Sequence, residues 1–146
     1  MHLTRVLILS LILSLLSAST PLSLSHAQSD MIPTDLSGLS FNQEITIPID
    51  TSNPYTINQP IDIRINFDQS CWAKNDTIHS VRVAYSDGND YTEIESQIYD
   101  LSHTDDTHID ACSLVFLIPE EATGEETYHV FYGDSETSAA DYPNHI

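Results

Sequence analysis

The chain has 146 residues and carries 22 Asp and Glu against four Lys and Arg, a formal charge of −18. A surface this acidic repels nucleic-acid phosphates and anionic membranes, which argues against both as partners. The acids are scattered rather than gathered in one run, as on the solvated surface of a folded domain rather than in a disordered tail.

Residues 1–27 have the layout of a secretory signal peptide. Arg5 supplies a short positive start, residues 6–16 are apolar apart from Ser10 and Ser14, and Ser25-His26-Ala27 sets small residues at positions −3 and −1 of a cleavage site. An uncleaved anchor is the alternative, but the dense apolar run is only about half of the ~20 residues a span needs. Cleavage leaves 119 residues, enough for one domain with a real core. Arg64, Lys74 and Arg82 are then the permanent cations, three against 22 acids or −19.

Residues 28–40, with Pro33 and Gly38, read as a leading arm or linker whose Leu36 and Leu39, with Phe41 beyond them, can tuck against the domain. Ile45, Ile47 and Ile49 alternate with polar neighbours, which predicts a strand over 44–49, at a sheet edge because Pro48 offers no ladder donor. Residues 51–60 hold Asn53-Pro54 and Gln59-Pro60 and form a turn region. Ile61, Ile63, Ile65 and Phe67 then alternate with Asp62, Arg64 and Asn66, the strongest strand signal in the chain. Residues 68–77 read as a polar connection containing Cys71, Trp72 and the sequon Asn75-Asp76-Thr77. That sequon makes Asn75 a glycosylation candidate, although such tripeptides also arise by chance.

Residues 80–100 predict a β-hairpin. Val81, Val83 and Tyr85 lie on one face, Asp87-Gly88-Asn89-Asp90 makes the turn, and Ile94, Ser96 and Ile98 return with their acids outward. Residues 101–110 look like a polar loop. Residues 113–118 are apolar on both parities, the pattern of a strand buried on both faces in the middle of a sheet. After a turn with Gly124, Tyr128, Val130 and Tyr132 alternate in a last strand, and residues 135–146 form an irregular tail. Six or seven short strands give an all-β fold over 41–134, an antiparallel β-sandwich of immunoglobulin-like or jelly-roll-like kind.

Cys71 and Cys112 share parity with the core-facing residues before and after them, so both thiols point inward if their strands run unbroken to those positions. In the oxidising space to which a leader sends the chain, a disulfide between them is expected, with two free buried thiols as the alternative. Closing a loop of about 40 residues would stabilise by roughly 4 kcal/mol in the chain-entropy account. Trp72 beside Cys71 is analogous to the aromatic-on-disulfide packing of immunoglobulin-like sandwiches.

His103, Asp105, Asp106, His108 and Asp110 make the densest cluster of candidate ligands, of a kind that suits Zn²⁺. Asp87, Asn89 and Asp90 offer oxygens to Ca²⁺. Solvated loops explain both stretches, and no cofactor is required. No nucleophile elbow, zinc-protease motif or phosphate-cradling glycine loop occurs in the chain.

The segments V-R-V-A-Y-S-D-G from Val81, Ser96-Gln97-Ile98, L-V-F-L-I-P from Leu114 and T-Y-H-V-F-Y-G from Thr127 follow one another in an order that resembles an uncharacterised β-sandwich module of archaeal and bacterial secreted and cell-surface proteins. The resemblance covers residues 78–134 and implies an extracellular structural or ligand-binding unit. The expected function is therefore a secreted or cell-surface, non-catalytic module for binding, adhesion or structure, its partner a carbohydrate or another surface protein. The alternative is a small secreted hydrolase working through acidic residues, or a metal-dependent carbohydrate-binding protein.

Overall fold

Two-residue alternation becomes strand pairing over most of the chain. The computed structural model describes residues 34–142; the leader and the first residues of the arm lie outside them. Seven strands follow a one-turn helix α1 (Thr34–Ser37): β1 (Phe41–Ile45), β2 (Pro60–Trp72), β3 (Arg82–Ser86), β4 (Tyr91–Ile94), β5 (Ser96–Asp105), β6 (His108–Leu117) and β7 (Thr127–Tyr132). They form two antiparallel sheets, β1-β7-β3-β4 and β2-β6-β5, an all-β sandwich. Ile61, Ile65, Val83, Ile98, Leu114, Phe116, Tyr128, Val130 and Tyr132 meet in one buried cluster between the sheets, with Ile63 and Phe67 packed against it. Aromatic pairs bridge the layers: Phe67 lies 4.7 Å from Tyr132 and Phe116 lies 5.9 Å from Tyr128, centroid to centroid.

The structure corrects the strand boundaries in four places. The first strand runs over Phe41–Ile45, earlier than expected, and Ile47 and Ile49 pack on the core from outside it. β2 continues through the supposed connection to Trp72, with a bulge between Asn66 and Cys71. The return arm of the predicted hairpin is two strands: β4 pairs with β3, the ladder breaks at Glu95, and β5 enters the other sheet. Residues 101–110 are the far end of a β5–β6 hairpin, not a loop. A carboxylate closes its turn, since Asp105 Oδ1 accepts from the Thr107 N–H at 2.8 Å and lies 2.9 Å from His108 Nδ1.

The expected disulfide is absent, because Cys71 and Cys112 are free buried thiols. Register explains this. Cys71 stands opposite Ile109 and Cys112 opposite Ile65, and between the pairs Asn66–Ala111 and Cys71–Ile109 β2 advances five positions while β6 advances two. An unbroken register would set Cys71 opposite Asp106; the bulge brings it to Ile109, still three residues along β6 from Cys112, so the two cysteines share no ladder position. Burial pushes both thiols up to about 12, which keeps them protonated and unreactive.

The two outer faces differ. The four-stranded sheet is roofed by the described parts of the arm and the tail. From the arm, Leu36 (0% exposed) packs with Ala84 and Phe131, and Leu39 and Tyr91 close around them. From the tail, the Ser138 carbonyl accepts from Arg82 Nη2 at 2.6 Å and the Tyr142 hydroxyl donates to Glu93 Oε1 at 2.6 Å. Over the three-stranded sheet β6 is central, as its apolar pattern requires, yet the described residues leave its outward parity uncovered: Val115 is half-buried and Leu117 is 50% exposed.

Two glycines hold turns at positive φ for different reasons. A Cβ on Gly124 (φ +91°) would stand 2.5 Å from Ser52 Cβ, whereas one on Gly88 (φ +90°) would meet nothing within 4 Å. Gly124→Ala should therefore cost roughly 2–3 kcal/mol, backbone strain plus overpacking, and Gly88→Ala about 1 kcal/mol from strain alone. Urea midpoints of the two variants check the ranking, and equal losses would contradict it.

Candidate binding face

The bare face is built by residues of outward parity on β2, β6 and β5. Register sets Asp62, Val115 and Gln97 in one row and Arg64, Ser113 and Tyr99 in the next. The Tyr99 hydroxyl donates to the Asp62 carboxylate, lying 2.9 and 2.8 Å from its two oxygens. Because β6 lies between these two residues, the Tyr99 ring must pass over the middle strand, a span of about two strand spacings. The residue is 44% exposed. The Asp62 carboxylate accepting its proton holds the phenol above its usual pKa.

A second brace crosses the same strand. Arg64 Nη1 pairs with Asp100 Oδ2 at 3.0 Å and also donates to the Asp100 carbonyl. Asp100 lies in the left-handed region at φ 51°, where the irregular β5–β6 register begins and which Asp tolerates better than most residues. Neither brace adds much stability at such exposure. What they do is fix side chains: the ring cannot swing out without releasing its hydroxyl from Asp62.

The candidate ligands of the sequence are distributed as follows. Asp87 caps its own turn, Oδ1 accepting from the N–H groups of Asn89 at 2.9 Å and Asp90 at 3.1 Å, and these bonds, that from Asp90 foremost, hold its carboxyl low. Asn89 and Asp90 are exposed. His108 and Asp105 form an ion pair on the β5–β6 hairpin, and the Asp134 carbonyl lies 3.0 Å from His108 Nε2. That carbonyl and then Asp105 push the imidazole pKa up, away from the neutral form a metal needs. His103 faces the Lys74 carbonyl at 3.4 Å, while Asp106 is exposed at the turn and Asp110 on β6. Among the described residues no three His, Cys, Asp or Glu side chains gather into a metal-ligating group.

Asn75 is exposed in the β2–β3 connection, its Oδ1 accepting from the Thr77 N–H at 3.0 Å, the Thr77 hydroxyl at 2.9 Å and the Ile78 N–H at 2.8 Å. The carboxylates whose acidity is shifted are Asp50, Asp87, Asp105 and Glu126, and all move downward. Burial pushes Glu126 up, but N–H groups of Thr123, Gly124 and its own residue outweigh it and hold the acid at about 2. Such groups are held ionised, whereas a general acid must be poised to protonate a leaving group.

Tyr99 was not among the sequence candidates. Its signal was an aromatic on the outward parity of a strand beside polar neighbours, but its partner Asp62 is 37 positions away and only register brings the two together. No family model, curated protein or solved structure matches the chain.

Proposed function

We propose that the chain is a secreted, non-catalytic β-sandwich module that attaches to material outside the cell through the outer face of β2-β6-β5. One observation carries the reading: among the described residues, the arm around Leu36 and the tail at 138–142 roof one outer face, and the other is left open with a braced tyrosine crossing its middle strand and an exposed leucine at the end of that strand. A central strand apolar on both parities is the pattern of double coverage, and among the described residues one side alone is covered from within. The leader-like residues 1–27 and the resemblance to modules of secreted and cell-surface proteins supply the location. The downward shifts of the perturbed carboxylates favour binding over hydrolysis.

The test is adhesion. Beads coated with the mature chain should be retained on the insoluble envelope of the producing cells, and a Tyr99→Ala, Leu117→Ser double variant should be washed off while keeping its thermal midpoint. Equal retention of the two proteins, or none with either, would rule the face out as the attachment surface.

A further inference from the structure

We propose that the occupant of this face is an uncharged polysaccharide, one of whose pyranose rings stacks on Tyr99. The inference rests on the binding role proposed above and names its ligand class.

A sugar ring has one face of C–H bonds, weakly positive, and a rim of hydroxyls. An aromatic face is negative at its centre and attracts such C–H groups, with apolar contact adding to the attraction. Tyr99 offers that face already oriented, so little freedom is lost on binding. Around it stand groups that suit hydroxyls. Asp62 accepts, Gln97 on the neighbouring row donates and accepts, and the Arg64 guanidinium donates. Leu117, at the end of β6, extends the apolar strip along the strand direction.

Charge selects among glycans. With 22 acids against few cations, and with Arg64 already paired to Asp100, the face has no cation among the described residues left free for a uronate or sulfate. A protein partner fits less well. The cores of stable protein interfaces are depleted of charge, and this face, only three strands wide, carries Asp62 and Arg64 on β2 and Asp100 on β5, flanking β6 on both sides. Hydroxyls tolerate such a surface because they hydrogen-bond to paired charges without separating them.

The experiment is an amide-shift titration of the ¹⁵N-labelled mature chain with soluble neutral oligosaccharides of glucose, xylose, mannose and galactose, with oligogalacturonate as the charged control. The expected result is a set of shifts confined to residues around Tyr99, Gln97, Asp62 and Leu117 for at least one neutral series, with a dissociation constant on the order of 1 mM. Tyr99→Ala should weaken that binding roughly tenfold or more, as loss of a central aromatic anchor does. Tyr99→Phe, which keeps the ring and frees it from Asp62, should weaken it only a few-fold, and a chelator should change nothing. No shift with any neutral glycan, shifts on another surface, preference for the uronate, or an unaffected Tyr99→Ala variant would each overturn the assignment. If adhesion depends on Tyr99 but no neutral glycan shifts the face or competes, the occupant is a protein; the attachment role then stands and the glycan falls. If adhesion ignores Tyr99, both fall.

Discussion

Tyr132→Ala is expected to lower the unfolding free energy by about 3–5 kcal/mol, the range for emptying a large buried aromatic site. The side chain is 1% exposed and touches rings from both layers, Phe67 on β2 at 4.7 Å and Phe41 on β1 at 5.4 Å. It lies where the first strand, the last strand and the bulged edge of β2 converge. Its hydroxyl has a separate task, accepting the Gln69 N–H inside the bulge at 3.2 Å. Tyr132→Phe should therefore cost only about 1–2 kcal/mol, one hydrogen bond to a donor that water can partly reach. Urea titrations of the three proteins decide the matter, provided their slopes agree. If the two variants lose equally, the hydroxyl rather than the ring is what matters. If alanine costs under about 1 kcal/mol, the ring is not part of a packed core.

What could be read from the sequence followed from how locally each feature is encoded. Ile61, Ile63 and Ile65, or Tyr128, Val130 and Tyr132, announce strand and inward face within one stretch, and all of these pack in the core or against it. Alternation does not say which sheet a strand joins. Ile94, Ser96 and Ile98 keep one parity across Glu95 although the chain changes sheets there, so the break left no trace in the pattern. Residues 102–105 are polar on both parities, and only their pairing with β6 makes them a strand. The cysteines failed as a pair for a related reason: their inward parity was legible, but their offset along the β2–β6 ladder, three residues even after the bulge, is set by a register no local pattern specifies. The candidate face was half legible. The doubly apolar β6 showed that a second cover was wanted, but the brace between Asp62 and Tyr99 needs a register no local pattern specifies.

Acid should weaken this fold before its carboxylates begin to protonate, through His79. The imidazole is 6% exposed at the start of the segment leading into β3, and its Nδ1 has no hydrogen-bond partner among the described residues. Desolvation and then the Arg82 guanidinium bring its pKa down to about 4, while Asp76 and nearby backbone groups oppose them more weakly. Arg82 is fixed there, donating to the His79 and Val81 carbonyls at 3.2 and 2.8 Å. Above pH ~6.5 the histidine is neutral in both folded and unfolded chains and contributes nothing. Between about 6.5 and 4 the unfolded chain takes the proton and the folded one refuses it, so about 3 kcal/mol should drain away across that window. That is a large share of the 5–15 kcal/mol typical of a domain. Glu126 acts in a lower window, since its folded pKa near 2 is below its ordinary 4.5 and its contribution fades only as pH falls between them. His108, raised and solvent-exposed, has the opposite sign: its contribution is complete below its ordinary pKa and fades as pH rises through the raised value. His79→Leu separates these effects. Its stability should be nearly flat between pH 6.5 and 4.5, where the natural protein loses most of its 3 kcal/mol, and both should weaken together below pH ~4. Parallel pH profiles for the two proteins above that point would show that the imidazole is not the group responsible.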